Sequence, residues 1–463
     1  MASELIISVS GLRGIVGESL TPDVAMRYVT AFATELPPGA VVIGRDGRNS
    51  GPMFAKVIGE ALSALGREVL DAGAAATPTV GVLVRDLQAA GGIQISASHN
   101  PSQYNGIKLF SGAGRVIPAA EGWRVLDRYR GLQTPQLGAG QRPAGTSPGG
   151  VQQLRDTTSA HLKLLEAICN IDRIRGKRFR VLLDANHGAG GALGRLLLEI
   201  LGCHVVVLGE TPDGRFDHLP EPTEMNLSSV LEQVVTGKAD VGFCQDPDAD
   251  RLAIIDERGR YIGEEKTPAL CVEHVLQSGR RGPVVTNCST SRMSEDIARR
   301  YGMPFFRSKV GEANVVDLML EKDAVIGGEG NGGVIDPRVG LVRDSFVGMV
   351  LTLDAMAARG LPLSQLADEL PQYAIYKTTI AVAADAIPSA LDSLERRFGD
   401  AKADRLDGLR LDWPSGAWLL VRPSNTEPIV RAIAEARTPV EAKSLCERAA
   451  AAISQSPPGE RLP

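Results

Sequence analysis

Short runs of aliphatic and β-branched residues alternate along this chain with stretches whose apolar residues recur at helical spacing. Ala40-Val41-Val42-Ile43-Gly44 predicts a buried strand ending in the polar turn Arg45-Asp46-Gly47-Arg48, and Pro52 to Leu65 follows with a helical period. Gly91 to Ser96 predicts a strand running into Ser98-His99-Asn100-Pro101. Phe179 to Asp184 predicts another, followed by the glycine-rich turn His187-Gly188-Ala189-Gly190-Gly191 and a helix from Ala192 to Leu201. Ala239 to Cys244, Val284 to Thr286 and Ala324 to Gly327 complete the set. Strands alternating with helices predict α/β layers built on largely parallel sheets. Such sheets bind ligands beyond the carboxyl ends of their strands, and that is where the polar turns of this chain fall.

Breaks in the pattern divide the chain. Gln133 to Gly150 is rich in Gly, Pro, Gln and Ser and reads as a linker. Weaker boundaries fall near Glu257-Arg258-Gly259 and Leu370-Pro371, with a new β-rich unit opening at Thr378 to Val382. The expected domains are 1–150, 151–257, 258–370 and 371–463, three similar strand–turn–helix units and a distinct tail.

Bulk composition adds exclusions. A chain of 463 residues exceeds the ~250–300 at which single cores stop growing. Hydrophobic residues at 43% and charged residues at 23% are a globular balance, and a net charge of −5 argues against a nucleic-acid partner. The six cysteines form no C-x-x-C pair, which argues against zinc, and they read as reduced core residues. The start, MASELIISVSGLRG, lacks the layout of a signal peptide, and no run reaches the ~18 apolar residues of a membrane span. A cytoplasmic protein with no membrane or nucleic-acid partner, monomeric or homodimeric, is the expectation.

Five segments carry candidate chemistry. Ser96-Ala97-Ser98-His99-Asn100-Pro101, with Asn105-Gly106-Ile107-Lys108, places hydroxyls and an amine after a strand. Ser98 could carry a phosphoryl group with Lys108 countering its charge, or it could simply cap a polar turn. A Ser98–His99 hydrolase pair is disfavoured, because adjacent residues rarely aim at one point and no G-x-S-x-G elbow is present. Asp246-Pro247-Asp248-Ala249-Asp250-Arg251 sets three carboxylates at alternate positions, whose repulsion a hard divalent cation such as Mg²⁺ would relieve. A calcium EF-hand loop is rejected: Arg251 stands where that loop needs glycine, and the flanks are strand-like. A solvated acidic turn is the bland alternative. Gly327-Gly328-Glu329-Gly330-Asn331-Gly332-Gly333 offers a carboxylate and an amide on a close-approaching backbone, suited to sugar hydroxyls or simply to a flexible loop. Arg422-Pro423-Ser424-Asn425-Thr426-Glu427-Pro428 with Arg431 could converge on a phosphate or cap a helix. Ser10-Gly11-Leu12-Arg13-Gly14 adds a cation between glycines.

In this order, from Ser10 to Arg431, the segments resemble the α-D-phosphohexomutase family of phosphoglucomutases, phosphomannomutases and phosphoglucosamine mutases. The resemblance implies four domains around a deep cleft: three of similar α/β topology and a C-terminal α+β domain related to TATA-box-binding-protein-like folds. It implies that Ser98 is the phosphoserine and that Asp246, Asp248, Asp250 and a phosphoserine oxygen hold Mg²⁺. Arg13, Lys108, His99 and Arg251 would form the catalytic neighbourhood, with Lys108 a candidate general acid/base. Lys309, Glu329 and Asn331 would meet the sugar, and Arg422, Ser424, Asn425, Thr426 and Arg431 the non-reacting phosphate. It further implies hexose phosphates as substrates and a hexose 1,6-bisphosphate as activator. Two departures stand out. Where the family's sugar loop often reads G-E-x-S-G-H, Asn331 replaces the serine and Gly333 the histidine, so a proton-transfer role for that histidine cannot be carried over. Asn425 replaces a glycine seen in many phosphoglucosamine mutases, and the N-T-E-P form also occurs in phosphomannomutases, yet the G-x-N-G-G form resembles bacterial and archaeal members usually assigned as phosphoglucosamine mutases. A sugar-phosphate-binding regulator and a metal-dependent phosphatase using Ser98 are the competing readings.

Overall fold

The structure is a computed structural model that describes residues 5–8, 11–132, 148–423 and 429–454. Its first sheet has seven strands in the order Ile6–Ser8, Gly11–Ile15, Tyr104–Ser111, Gly91–Ile95, Val41–Arg45, Val69–Ala74, Val151–Gln153. Two four-stranded sheets follow, from Arg180–Asp184 to Leu252–Asp256 and from Val284–Asn287 to Gly333–Ile335. The last sheet is wholly antiparallel, with five strands between Ala374 and Ala436 and the helices Ile387–Arg397 and Pro439–Ser454 packed against it. Val151–Gln153 pairs with Val69–Asp71, so the first sheet takes in residues beyond the boundary expected at 150.

One topology recurs three times. In each α/β unit four successive strands lie side by side in the order second, first, third, fourth. The first three are parallel and the fourth returns antiparallel. The third strands are Gly91–Ile95, Val241–Gln245 and Ile326–Glu329. The connection after each carries, in turn, Ser98, the aspartate triplet and Asn331. The repeat therefore puts three chemically different loops at the same place in three units, at the carboxyl ends of parallel strands.

The central units share one core. Leu197, Phe243 and Ile254 of the second pack in the same cluster as Cys271, Val350 and Leu353 of the third. Its centre is the helix Ser345–Arg359, capped by Asp344, whose side chain accepts from the N–H groups of Phe346 and Val347. A helix apolar on all sides must be enclosed by protein. Among the described residues no single helix is long and apolar enough to cross a membrane. The fourth unit docks on the third through Trp418, Leu420 and Cys288, with the Arg410 guanidinium 4.1 Å above the Trp418 ring. All six cysteines are free thiols, four of them buried and Cys169 and Cys203 half-buried.

Candidate active site

Ser98 sits in the left-handed region at φ 52°, an unusual place for a residue with a side chain, and is fully buried. What holds it there is Arg48. Its Nη2 donates to the carbonyls of Ser98 and Asn100, both at 2.6 Å, and its Nη1 to those of Pro101 at 2.7 Å and Tyr104 at 3.0 Å. Its Nε donates to Asp46 Oδ2 at 3.0 Å, and Ser96 Oγ donates to the same oxygen at 2.7 Å. All the N–H groups of the guanidinium are thereby used on one loop and its brace. Phe216 of the second unit lies under the guanidinium at 5.2 Å.

The loop so held aims Ser98 Oγ across the domain boundary, where it donates to Asp246 Oδ2 at 2.7 Å. Asp246, Asp248 and Asp250 are fully buried, and each offers an oxygen within 4.8 Å of the others. Pro247 is pressed by the glycine-rich turn of its own unit: Ala189 N donates to Pro247 O at 2.7 Å, and a Cβ at Gly188 would stand 2.5 Å from that oxygen. Three buried carboxylates are tolerable only with compensation. Lys108 Nζ donates to Asp248 Oδ2 at 2.5 Å and to Asp250 Oδ2 at 2.8 Å. Arg343 Nη2 donates to Asp250 Oδ2 at 2.7 Å, Arg251 Nε lies 3.8 Å from Asp250 Oδ1, and Thr77 Oγ1 donates to Asp248 Oδ2. Oδ1 of Asp248 and Oδ1 of Asp250 are buried with no hydrogen-bond partner. Orphaned carboxylate oxygens converging with an all-oxygen donor set fit a hard divalent cation.

Charge is distributed unevenly. Burial and its two acidic neighbours push the Asp246 carboxyl well above the usual range. Burial also opposes ionisation of Asp250, but Arg343, Lys108 and Arg251 outweigh it and hold that carboxyl below the ordinary value. Burial works against the Lys108 ammonium, yet Asp248 and Asp250 raise its pKa. His99 is the opposite case: burial, with Arg251 and Arg13 close by, drives its pKa down to about 2, so the ring is uncharged at working pH. Its Nδ1 is a long 3.4 Å from Ser98 Oγ. Arg13 donates to Asn100 Oδ1 at 3.2 Å, and burial and Arg251 lower its pKa.

The sugar-type loop closes the other side. Glu329 accepts from Asn287 Nδ2 at 2.7 Å, Gly311 N at 3.1 Å, Arg343 Nη1 at 2.5 Å and Asn331 Nδ2 at 3.4 Å. Burial opposes its charge, but Arg343 and Asn287 win and lower its pKa. Thr290 Oγ1 accepts from Gly330 N at 2.9 Å. In each unit, then, residues at or just beyond the end of the first strand brace those at or just beyond the end of the third: Arg48 for Ser98, the 187–191 turn for the aspartates, Asn287 and Thr290 for Glu329 and Gly330.

The structure thus brings Arg13, Ser98, His99, Lys108, Asp246, Asp248, Asp250, Arg251, Glu329 and Asn331 into one cluster. Lys309 is exposed just beyond the strand Phe305–Ser308. Arg422 and Arg431 are direct neighbours across the strands Trp418–Pro423 and Ile429–Ala436 of the fourth unit, with Arg422 Nε 3.1 Å from Asp407 Oδ2. Ser424, Asn425 and Thr426, and Ser10 at the start of the chain, lie outside the described residues. Lys108 Nζ lies among the second unit's aspartates, the same buried cluster that Ser98 Oγ meets. Sequence reasoning missed Arg48 and Arg343. Arg48 left a signal, a charged cluster directly after a buried strand; Arg343 left only its place before the Asp344 helix cap.

Comparison with known proteins agrees with this layout. Models of the phosphoglucomutase/phosphomannomutase domains match in order: α/β/α domain I over residues 5–134, domain II over 159–259, domain III over 264–373 and the C-terminal domain over 381–452. A phosphoglucomutase/phosphomannomutase of Thermococcus kodakarensis is 36% identical over 445 residues, covering 94% of this chain and 96% of its own. A Methanopyrus kandleri protein named "probable phosphoglucosamine mutase" is 31% identical, covering 94% and 95%. The crystal structure of a phosphoglucomutase/phosphomannomutase family protein from Burkholderia thailandensis superposes with a TM-score of 0.80 at 26% identity, covering 97% of this chain and 99% of that one.

Proposed function

Since the chain belongs to the α-D-phosphohexomutase family and is a phosphohexomutase, we propose that it interconverts hexosamine 6-phosphate and 1-phosphate, as a phosphoglucosamine mutase, through a phosphoserine at Ser98. The observation that carries the site assignment is the approach of Ser98 Oγ to Asp246 Oδ2 at 2.7 Å across two domains. A serine held at a strained φ by Arg48 and aimed at three carboxylates compensated by lysine and arginine suits phosphoryl transfer.

In this reading the Ser98 Oγ–phosphorus bond breaks as the sugar hydroxyl oxygen bonds to phosphorus, and the hydroxyl proton ends on Ser98 Oγ. Lys108, held as an ammonium beside the aspartates, is the candidate to relay it, first giving a proton to the departing Ser98 Oγ and then recovering one from the hydroxyl. His99, uncharged, helps to fill the pocket wall. Arg13 and Arg251 would supply positive charge against the negative charge on the transferring group. A magnesium ion held by Asp246, Asp248, Asp250 and a phosphoserine oxygen would neutralise further charge there. Glu329, still held by Arg343, and Asn331 would exchange their remaining internal partners for sugar hydroxyls. Arg422, Ser424, Asn425, Thr426, Arg431 and Lys309 would hold the remote phosphate or sugar while a hexose 1,6-bisphosphate turns over in the cleft. The same bisphosphate would prime an unphosphorylated enzyme. The domain limits 1–150, 151–257, 258–370 and 371–463 remain part of the proposal, except that the strand Val151–Gln153 goes with the first sheet.

The glucosamine assignment is supported by the G-x-N-G-G loop and by relatives that carry that name. The Thermococcus relative supports a second reading, phosphoglucomutase/phosphomannomutase. A coupled assay with Mg²⁺ and trace bisphosphate, run in parallel on glucosamine, glucose and mannose phosphates, separates them. Glucosamine phosphate is expected to give the highest kcat/KM; a clear preference for either neutral hexose refutes the assignment.

A further inference from the structure

Gly333 has no conformational need to be glycine. It begins the strand Gly333–Ile335, pairs with Glu329, and is not among the residues with positive φ. What a side chain would meet there is Arg343: a Cβ on Gly333 would stand 2.3 Å from Arg343 Cδ and 2.8 Å from its Cγ. An exposed arginine would swing aside, but this one is pinned along its length. Its backbone N–H donates to Glu312 Oε1 at 2.7 Å, and Nε lies 3.7 Å from Glu312 Oε2. Nη1 donates to Glu329 Oε2 at 2.5 Å and Nη2 to Asp250 Oδ2 at 2.7 Å. The residue is 8% exposed, and it is followed directly by the Asp344 cap that anchors the central helix.

We propose that Gly333 and Arg343 form one device: the glycine leaves room for the arginine stem, and Arg343 is the positioning residue that locks Asp250 of the metal-type loop to Glu329 of the sugar-type loop. The inference rests on the phosphohexomutase reading of the cleft and deepens it. A planar fork can satisfy two carboxylates at once, whereas the single ammonium of lysine cannot reproduce that geometry. A fixed guanidinium thus fills space that a side chain at 333 would need, and the departure noted at that position acquires a structural reason. The two loops belong to different units; Leu252 N donates to Gly332 O at 3.1 Å, and Arg343 adds the one link that joins the carboxylates of Asp250 and Glu329 themselves.

The test is a double-mutant cycle of Gly333→Ala and Arg343→Ser, read as kcat/KM and as KM for the preferred hexose phosphate. Mn²⁺ affinity is measured on the same proteins by electron paramagnetic resonance. Gly333→Ala alone displaces Arg343 and is expected to cost on the order of 10²-fold in kcat/KM, the scale of a 1 Å misplacement. It should raise KM and weaken Mn²⁺ binding together, because both carboxylates lose their common anchor. In the Arg343→Ser background the same alanine should change kcat/KM by less than ~3-fold, since independent sites add and coupled ones do not. Additive effects overturn the proposal. If Arg343→Ser does not fold, Gly333→Ala still decides: wild-type KM and Mn²⁺ affinity in that variant also overturn it. A wild-type protein with no mutase turnover would instead refute the phosphohexomutase reading itself.

Discussion

Replacing Arg48 by methionine should disable the protein without touching any group that meets substrate. The side chain is 1% exposed, and its guanidinium donates to four backbone carbonyls of the Ser98 loop and to Asp46. Methionine fills most of the volume and supplies none of the donors. Asp46, fully buried, would keep only Ser96 Oγ and the residue 48 N–H as partners. Removing one member of a buried ion pair costs ~3–5 kcal/mol, most of it from the charge left behind. The freed carbonyls face a turn that can partly rehydrate, so their individual costs do not simply add. Taking ~4 kcal/mol, and ~2–4 °C per kcal/mol for a unit of 150–250 residues, the first domain should melt roughly 8–16 °C lower. Even where the fold survives, Ser98 loses the brace that keeps it at φ 52°, and kcat should fall by at least ~10²-fold. Arg48→Lys should be intermediate in melting yet nearly as slow, because three donors on one ammonium cannot span four carbonyls and a carboxylate. Differential scanning calorimetry and steady-state kinetics on the same preparations check both halves. An Arg48→Met enzyme with wild-type kcat would refute the argument that this arginine positions the nucleophile.

Three further outcomes follow. Asp248→Asn should abolish divalent-metal-dependent turnover while the circular dichroism spectrum stays unchanged; undiminished turnover removes Asp248 from the metal set. His99→Gln should leave the pH profile of kcat between pH 5 and 8 unaltered, because the wild-type ring takes a proton only near pH 2; loss of an acid limb in the variant would contradict this. Glu265, raised to about 7 by burial despite Lys377 at 3.4 Å, keeps its proton in the folded state over a range where the unfolded chain releases it. Its contribution is therefore full below pH ~4.5 and is lost as pH rises towards 7, on the order of 3 kcal/mol in all. Glu265→Gln should flatten that decline in urea-denaturation free energy, and an unchanged slope would refute it.

The sequence and structure agree best where chemistry and periodicity coincide. The strand predicted at Ala239 to Cys244 is found at Val241–Gln245, and the aspartates emerge from its carboxyl end as the α/β rule requires. The helix predicted from Pro52 to Leu65 is found at Gly51–Ala64. What periodicity could not reveal is action between units. Lys108, read with the Ser98 loop, also reaches the carboxylates of residues 248 and 250, 140 and 142 positions away. Arg343 is 93 positions from Asp250 and 14 from Glu329, and no local pattern joins them. The turns after the first strands of the first two units stood out in the sequence, but not what they brace. Arg45-Asp46-Gly47-Arg48 reads as an ordinary polar turn until the fold sets it beneath the loop of Ser98.

The central claim is that Ser98 carries the phosphoryl group and returns it to a sugar. Incubation with ³²P-labelled glucose 1,6-bisphosphate, followed by peptide mass spectrometry and a chase with unlabelled hexose phosphate, tests it most directly. The account predicts one phosphate on the peptide containing Ser98, none in Ser98→Ala, and recovery of the label in hexose phosphate. Label on another residue, or its release chiefly as inorganic phosphate, would contradict it.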